Sequence, residues 1–251
     1  MIQFFSPDVR KTNMLDSSES QHCVKVLRKK EGEKIYVTDG EGTRFECLIV
    51  KADTKGVKVS VLSEEKITKN WIGTISLIVA PTKNADRMAW LVEKCTEIGV
   101  DRIIFVKCDR SERKTVNTDR LIRNAASAMN QSLKTIMPVL EVLDFKDILT
   151  LNGYKYFGYC SPEVERFKFV DAYKNVIKQF TTERKMTDTV FTQGPDVVVA
   201  IGPEGDFSQD EVCSLMKSGY RAVTFGDERL RTETAAMYSV AAFHITNDLF
   251  F

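Results

Sequence analysis

The chain has 251 residues, of which 43% are hydrophobic and 28% are charged. This length favours one large domain or two smaller ones, and the composition is that of a folded globular protein rather than a disordered one. Lys and Arg together number 36 against 35 Asp and Glu, which gives a net charge of +1. Long-range attraction to a nucleic acid is therefore excluded, and any such partner would need a local basic patch.

The six cysteines form no Cys-x-x-Cys pair and no cluster with zinc-ligand spacing, so we expect reduced thiols and no metal site. The first residues do not combine a basic stretch with an apolar one, as a signal peptide would. No apolar run is long enough to cross a bilayer. We therefore expect a cytoplasmic protein without a membrane partner.

Short alternating segments dominate residues 1–69 and predict a small β-barrel-like domain. The predicted strands cover 33–38, 44–50 and 57–62, with turns at 39–42 and 55–56. A short helix is expected over 21–28, and the polar segment 64–70 is the candidate linker.

Residues 70–251 alternate apolar strands with amphipathic helices, which predicts an α/β domain with a mostly parallel sheet and helices on both faces. The strands are expected at 75–80, 102–106, 154–159, 197–201 and 222–225. The helices are expected at 86–99, 119–131, 208–218 and 233–248. Gly99 suits a helix end, Ser208 and Glu211 have capping-box spacing, and the polar segment 180–196 is interpreted as a surface loop.

A glycine-rich loop, Gly202-Pro203-Glu204-Gly205, follows the predicted strand 197–201 and precedes a helix. Ligands of open α/β sheets lie beyond the carboxyl ends of the strands, and glycine allows close backbone approach. The alternative is a plain turn between strand and helix.

A second loop, residues 226–236, also leaves a strand and opens a helix. Thr232 could be its N-cap and Glu233 a favourable first-turn charge. Arg229 and Arg231 are not explained in this way, and they indicate an anionic partner or a base that is stabilised by a cation. Neither loop has the phosphate-binding or dinucleotide-binding glycine pattern.

Residues 201–208 (IGPEGDFS) and 225–235 (FGDERLRTETA) resemble the signature loops of bacterial 16S rRNA uridine-N3 methyltransferases of the RsmE type, in the SPOUT superfamily. Residues 22–28 with Gly32 and Glu33 resemble the PUA-like RNA-binding domain of that family, and residues 83–101 resemble its first catalytic helix. The resemblance extends over the whole chain.

The resemblance implies a trefoil-knotted C-terminal domain, a PUA-like N-terminal domain, a homodimer, and 16S rRNA or the small ribosomal subunit as partner. It also implies S-adenosyl-L-methionine (SAM) as cofactor. The residues matched to the cofactor site are Cys160, Pro162, Ile201, Gly202, Pro203, Glu204, Gly205, Phe225, Gly226, Leu230 and Thr234.

The sequence departs from the family pattern in two places. Asp206 stands where the family usually has a second glycine. Asn130 and Lys134 stand in a segment where a Glu-Gln-Ser-x-Arg pattern is more common, although Gln131 and Ser132 still match.

Uracil N3 carries a proton that must be lost before it can attack a methyl group. Arg231 is the first candidate for stabilising the resulting anion, and Arg229 is the second. Glu233 or Glu204 could orient that arginine or accept the proton, or both could have only structural roles. The proposed catalytic set is therefore Arg231, Glu233 and Arg229.

RNA contact is expected from two basic groups of residues. One lies in the N-terminal domain, and the other in a loop after a strand. The residues are His22, Lys25, Arg28, Arg110 and Arg113.

Two alternatives stay open. The chain could be an RNA-binding protein without activity, although its intact loops argue against this. It could also methylate another rRNA base or tRNA, because knot-type methyltransferases share a cofactor site while differing in substrate.

Overall fold

The chain forms two compact units in a computed structural model, which describes residues 2–113, 115–184 and 194–250. The first unit combines the N-terminal residues through Asn70 with Ala125–Met137. The second combines Trp71–Asn124 with the residues from Pro138 onward. The sequence analysis expected two continuous domains, 1–69 and 70–251, and did not anticipate that residues 125–137 pack with the N-terminal unit.

The first unit is built on four strands and two short helices. They are β1 Gln3–Phe5, α1 Val9–Thr12, α2 Ser17–Gln21, β2 Lys34–Thr38, β3 Thr43–Lys51 and β4 Lys58–Lys66. The strands form a sheet in this order, with β1 parallel to β2 and the other pairs antiparallel. Ile35, Val37 and Phe45 are buried because alternate residues of a strand face the core. The three predicted strands are confirmed, while closure into a barrel stays a prediction.

Two local predictions in the first unit need correction. An α-helix was expected over 21–28, but α2 already ends at Gln21. A π-helical turn, His22–Val26, follows it. The expected linker begins too early, because β4 extends through Lys66 and pairs there with Thr43 of the long strand β3. Pairing with a long neighbouring strand outweighs the polar composition of this segment.

Residues 125–137 are held in the first unit by hydrogen bonds to their backbone. The Gln3 side chain donates to the Lys134 carbonyl oxygen (2.6 Å), and the Arg44 guanidinium donates to that of Leu133 (2.8 Å). The Gly42 N–H donates to the Thr135 carbonyl oxygen (2.9 Å). These contacts join residues far apart in the chain, which a local sequence pattern cannot reveal.

Within its described residues, the second unit contains a seven-stranded parallel sheet and six helices. The strands are β5 Thr74–Val79, β6 Arg102–Val106, β7 Val139–Leu143, β8 Tyr154–Gly158, β9 Phe167–Lys168, β10 Asp196–Ile201 and β11 Arg221–Thr224. The helices are α3 Ala85–Ile98, α4 Thr118–Gln131, α5 Phe145–Ile148, α6 Phe169–Arg184, α7 Gln209–Lys217 and α8 Thr232–Asp248. Helix α4 ends in the first unit. The strand order is β7-β6-β5-β10-β8-β11-β9.

The predicted strands and helices of the α/β domain are confirmed with small shifts in their ends. Gly99 follows α3 with φ 124°, and Ser208 and Glu211 form the capping box that opens α7. The sequence analysis did not predict β7, β9 or α6. The segment 180–196 is not all loop, since α6 runs through Arg184 and β10 begins at Asp196; residues 185–193 lie outside the described residues.

The strand order brings three loops to one edge of the sheet. β8 lies between β10 and β11, and all three strands are parallel. The loops that follow them therefore begin side by side, at the carboxyl ends where α/β sheets bind ligands.

Candidate cofactor and substrate site

A cavity of about 450 Å³ lies at the carboxyl ends of β8, β10 and β11. We call it the first cavity. It is lined by the loop after each of these strands, by the start of α8 and by Arg87 of α3. The three loops thus build one concave site. The sequence analysis expected two of them as ligand loops, and the resemblance added Cys160 and Pro162 of the loop after β8.

Asp206 explains why the first loop can depart from the glycine of the family pattern. Its φ is 62°, a left-handed conformation that glycine favours and that aspartate tolerates better than most residues. Its carboxylate accepts hydrogen bonds from the backbone N–H groups of Cys160 (3.1 Å) and Phe207 (2.9 Å). Asp206 therefore links the loop after β10 to the loop after β8.

Gly202 lies where the first loop is most crowded. A Cβ atom at this position would lie 3.1 Å from the Phe207 backbone nitrogen and 3.1 Å from its ring. The Thr232 hydroxyl donates to the Gly202 carbonyl oxygen (3.0 Å). Thr232 is the first residue of α8, and the N-cap is Arg231 rather than Thr232. The Thr232 hydroxyl joins the first loop to the second.

Arg110, predicted to contact RNA, has partners within this unit. Its guanidinium donates to the carbonyl oxygens of Gly205 (2.9 Å) and Phe207 (3.4 Å). Its aliphatic carbons also lie against Gly205, where a Cβ would be 3.3 Å from the Arg110 Cβ. Gly205 itself is not among the residues that line the first cavity. Arg110 therefore supports the outer side of the glycine loop.

The loop after β8 is held by Arg166, whose guanidinium donates to the carbonyl oxygens of Tyr159 (3.2 Å) and Cys160 (3.0 Å). Burial, followed by the nearby Asp206 carboxylate, raises the pKa of the Cys160 thiol. Cys160 lines the first cavity as a neutral thiol. Pro162, predicted with it, is exposed and is not among the lining residues.

Glu204 and Arg229 connect the outer parts of the two loops. The Glu204 carboxylate accepts the backbone N–H of Lys83 (3.2 Å), and the Arg229 guanidinium donates to the Glu204 carbonyl oxygen (3.4 Å). The Glu204 carboxylate is therefore engaged with backbone that precedes α3. The Arg229 charge meets a neutral oxygen rather than a carboxylate.

Glu233 and Arg231 differ sharply in their surroundings. The Glu233 side chain is 9% exposed and pairs with the Arg87 guanidinium at 3.4 Å. Arg231 is exposed, lines the first cavity, and forms no ion pair with any residue in 2–113, 115–184 or 194–250. The glutamate is committed to a neighbouring cation, whereas the Arg231 charge is available to a ligand.

A second cavity, of about 660 Å³, adjoins the first. Five residues line both: Arg87, Arg229, Leu230, Arg231 and Glu233. The second cavity is completed by Asp86 and Trp90 of α3 and by Thr234 of α8. Residues 229–231 therefore form a wall that is shared by two neighbouring spaces.

Comparison with known families gives two matches. A family described as an RNA methyltransferase domain matches residues 69–244, and one described as an RNA methyltransferase PUA domain matches residues 15–62.

The chain belongs to the RNA methyltransferase family. Among its relatives is a ribosomal RNA small subunit methyltransferase E 2 from Borreliella burgdorferi, 27% identical over 91% of this chain and 88% of the relative. The crystal structure of a probable rRNA-methyltransferase from Porphyromonas gingivalis is 34% identical, with a TM-score of 0.86 over the full length of both chains. A ribosomal RNA small subunit methyltransferase E from Neisseria gonorrhoeae, solved with S-adenosyl methionine bound, shares the fold with a TM-score of 0.77 at 22% identity, over 98% of this chain and 97% of that one.

Most residues that the sequence analysis assigned to cofactor or catalysis line the first cavity of this RNA methyltransferase. They are Cys160, Ile201, Gly202, Pro203, Glu204, Phe225, Gly226, Arg229, Leu230, Arg231 and Glu233. Three do not: Pro162 and Gly205 line neither cavity, and Thr234 lines the second.

The sequence analysis missed several lining residues of this methyltransferase, notably Arg87, Arg166 and Asp206. Asp206 was available as a departure from the family pattern. Arg87 lies in the segment 83–101 that was matched to the family, but its partner Glu233 is on another helix. Arg166 contacts carbonyl oxygens of its own loop, and no motif marks it.

The other predicted RNA contacts are placed on the surface of their units. His22, Lys25 and Arg28 are exposed on and just after the π-helical turn of the first unit, and Arg113 is half-buried in the second. Lys29, next in the chain, is paired with Glu33 at 2.8 Å. A basic, exposed segment is therefore present in the first unit.

Across the described parts of the methyltransferase chain, no group of His, Cys, Asp and Glu side chains could hold a metal ion. The helices within those same parts are all too short or too polar to cross a membrane.

Proposed function

We propose that this chain transfers a methyl group from SAM to N3 of a uridine in 16S ribosomal RNA. The observation that carries the proposal is that two loops resembling one family's signature meet the loop after β8 in one cavity, with the uncompensated charge of Arg231 on its wall. The relatives named ribosomal RNA small subunit methyltransferase support the choice of 16S rRNA. The SAM complex of the Neisseria gonorrhoeae protein supports the choice of cofactor.

The first cavity fits a cofactor that is recognised largely by backbone groups. Gly226 lines it with φ 139°, and a Cβ added there would meet nothing within 4 Å, so the backbone borders open space. We propose that the backbone from Gly226 to Leu230 and the carbonyl edge at Gly202 hold SAM. When bound, SAM supplies an electrophilic methyl group on a sulfonium.

The chain's own contribution is positioning and charge stabilisation. The target N3 releases its proton to solvent, a new N3–carbon bond forms, the sulfur–carbon bond breaks, and a neutral thioether leaves. Arg231 stabilises the negative charge that the deprotonated uracil spreads over its carbonyl oxygens. Arg229, which donates to a neutral carbonyl oxygen, adds to the positive potential at the same wall.

We assign Glu233 an orienting role rather than that of the base. Its carboxylate is nearly buried and paired with Arg87, so it holds the start of α8 and the guanidinium of α3 together. Glu204 is engaged by the Lys83 backbone N–H and takes a similar structural part in the first loop.

We propose that the first unit binds RNA through His22, Lys25 and Arg28, which are exposed on one short segment. Arg113 is a further candidate in the second unit. Arg110 is exposed and also supports the glycine loop. Its loss is therefore expected to affect the first cavity as well as RNA binding.

Two measurements test the proposed function. Calorimetric titration should detect SAM binding to the purified protein; no binding at millimolar SAM would reject the enzyme and favour the inactive RNA-binding alternative. Mass mapping of modified nucleosides in 16S rRNA from a deletion strain should find N3-methyluridine missing at one site. Retention of N3-methyluridine, with another base or a tRNA losing its methyl group, would move the activity to that substrate.

Further features of the family are part of the same proposal. We propose a trefoil knot in the C-terminal domain, and the interleaved order β5-β10-β8-β11 supports it, since strands distant in sequence become neighbours. We also propose that the domains are 1–69 for RNA binding and 70–251 for methyl transfer, and that the protein acts in the cytoplasm, where ribosomal subunits are found. An experimental backbone trace would test the knot.

We propose a homodimer as the active form. Tyr238 and Ile245 of α8 and Leu249, which caps its C-terminus, are 42%, 63% and 66% exposed, and their spacing of seven and four residues places them on one side of the helix and its end. Such a stripe is unusual on a solvated surface. Light scattering after size-exclusion chromatography should give twice the chain mass.

A further inference from the structure

The second cavity has an aromatic wall to which the proposed methyl transfer gives no role. Trp90 of α3 lines this cavity with 41% of its surface exposed, whereas its neighbours Met88, Leu91 and Val92 are buried in the core. A large flat side chain at the surface beside a cavity presents an aromatic face on which a planar ligand can stack.

The charges around Trp90 are arranged so that only positive charge is left for a ligand. Asp86 is paired with Arg120 at 2.7 Å, and Glu233 is paired with Arg87 at 3.4 Å. Both carboxylates of the second cavity are thus compensated. Arg229 and Arg231 face no carboxylate among the ion pairs of the described residues.

An indole ring beside two guanidinium groups suits a planar ligand rich in hydrogen-bond acceptors. Single-stranded RNA bases are recognised in this way, by stacking on aromatic rings and by hydrogen bonds to their edges. Uracil has two carbonyl oxygens for guanidinium donors, and after deprotonation it carries a negative charge.

We propose that the second cavity receives the target uracil, with Trp90 as its stacking surface and Arg231 between the base and the first cavity. This inference rests on the proposed function and gives it a substrate site. It follows from the shared wall, because Arg231 borders both spaces and can contact a base in one while the methyl donor occupies the other.

Steady-state kinetics of Trp90→Ala and Trp90→Phe test the inference, with small ribosomal subunits from a deletion strain as substrate. Stacking contributes about 1–3 kcal/mol per base, so the alanine variant should lose roughly 5- to 150-fold in kcat/KM. The phenylalanine variant should recover most of that loss. Both should bind SAM as the wild type does, because Trp90 does not line the first cavity. An alanine variant with wild-type kcat/KM would overturn the proposal.

Trp71→Phe is the matched control, because Trp71 is the other tryptophan of the chain. It packs against His244 and donates to Asp101, away from both cavities. This variant should keep its activity and leaves Trp90 as the single tryptophan reporter. Its fluorescence should be quenched by a uridine-containing single-stranded oligonucleotide, and not by the same oligonucleotide with an abasic site in place of the uridine. Equal quenching by both would overturn the stacking role.

The competing occupant of this wall is a second copy of the chain. Sedimentation velocity of Trp90→Ala distinguishes a base site from a subunit contact, because a base site predicts the wild-type oligomeric state. Loss of activity together with dissociation would assign Trp90 to the subunit contact and overturn the proposal. Failure of the proposed function is distinct from both outcomes, because it would show as absent methylation or absent SAM binding in the wild type.

Discussion

Polar side chains have opposite roles in two regions of the molecule. One region is the edge of the first cavity, and the other is the contact between α2 and residues 125–137 in the first unit. At the cavity edge, Asp206 accepts two backbone N–H groups, and the charge of Arg231 remains available to a ligand. In the first unit, Asn130 donates to Glu19 at 3.0 Å, yet Glu19 Oε2 and Asn130 Oδ1 are buried without a partner. The first region holds its backbone with satisfied groups and leaves one positive charge without an ion-pair partner among the described residues. In the second region, burial raises the pKa of a carboxyl group.

This comparison also accounts for one residue in each departure from the family pattern, Asp206 and Asn130. Asp206 takes the left-handed conformation of the usual glycine and adds two hydrogen bonds. Asn130 stands where a glutamate is more common, and a glutamate there would face the Glu19 carboxyl with no hydrogen to donate. Each departure therefore has a local partner that suits the residue present.

Arg231→Ala should produce the largest effect of any cavity-edge change. Removing one charged donor to a developing anion lowers kcat by about 100-fold or more. SAM affinity, measured by calorimetry, should stay within a few-fold because the cofactor is held mainly by backbone. A variant that methylates small subunits at near wild-type rate would show that Arg231 does not face the base. Lys217→Ala, which removes an exposed lysine outside both cavities, is the control for general loss of positive charge.

Asp206→Ala should weaken SAM binding by roughly tenfold, because it removes two charge-assisted hydrogen bonds. It also places alanine at a positive φ, which aspartate tolerates better. Glycine adopts this positive φ without strain, but Asp206→Gly also lacks the two hydrogen bonds. Its SAM affinity should therefore fall between those of the wild type and the alanine variant. Titration calorimetry of the three proteins gives the comparison. If glycine and alanine weaken binding equally, the hydrogen bonds rather than the backbone conformation determine the loop.

Glu233→Gln should lower kcat by a few-fold, about tenfold at most, because it removes the ionic part of the contact with Arg87 and keeps the shape of the side chain. Glu204→Gln, at an exposed carboxylate of the first loop, is the matched control and should change kcat less. A loss for Glu233→Gln as large as that for Arg231→Ala, with a changed pH profile of kcat, would make Glu233 the proton acceptor.

Local patterns were sufficient for much of this fold. The capping box of Ser208 and Glu211, the end of α3 at Gly99 and the apolar runs of β5 and β10 depend on neighbours within a few residues. Helix α6 was missed although Phe169, Ala172, Tyr173, Val176 and Ile177 are buried at helical spacing. That pattern could have been found in the sequence.

Other features depend on tertiary contacts and could not be found in this way. The two-residue strand β9 exists because Phe167 and Lys168 pair with Val223 and Thr224. In the site, the two glycine loops were recognisable, but the partner of Glu233 was not. Arg87 lies in a distant helix, and only the folded sheet brings the two together. Sequence reasoning therefore found the two loops that line the first cavity and missed the side chains that hold them in place.

Glu19→Gln tests the first-unit side of the comparison and should leave activity unchanged. Burial, with a smaller contribution from Asp16, raises the pKa of Glu19 from 4.5 to about 7. Between these two values the folded protein holds a proton that the unfolded chain has released, so the free energy of unfolding falls as the pH rises from about 4.5 to 7. The loss is on the order of 1–3 kcal/mol, and it is absent below the unfolded value, where both states are protonated.

Glutamine cannot ionise and has nearly the shape of the neutral acid, so Glu19→Gln should remove this part of the pH dependence. Its Nε2 could also donate to the Asn130 oxygen that lacks a partner. Urea unfolding at pH 5 and pH 8 should show the variant gaining on the wild type only at the higher pH. Glu65→Gln, at an exposed position of β4, should follow the wild type at both. If Glu19→Gln also followed the wild type, Glu19 would be ionised in the folded protein, and the two regions would not differ in the way that their hydrogen bonds indicate.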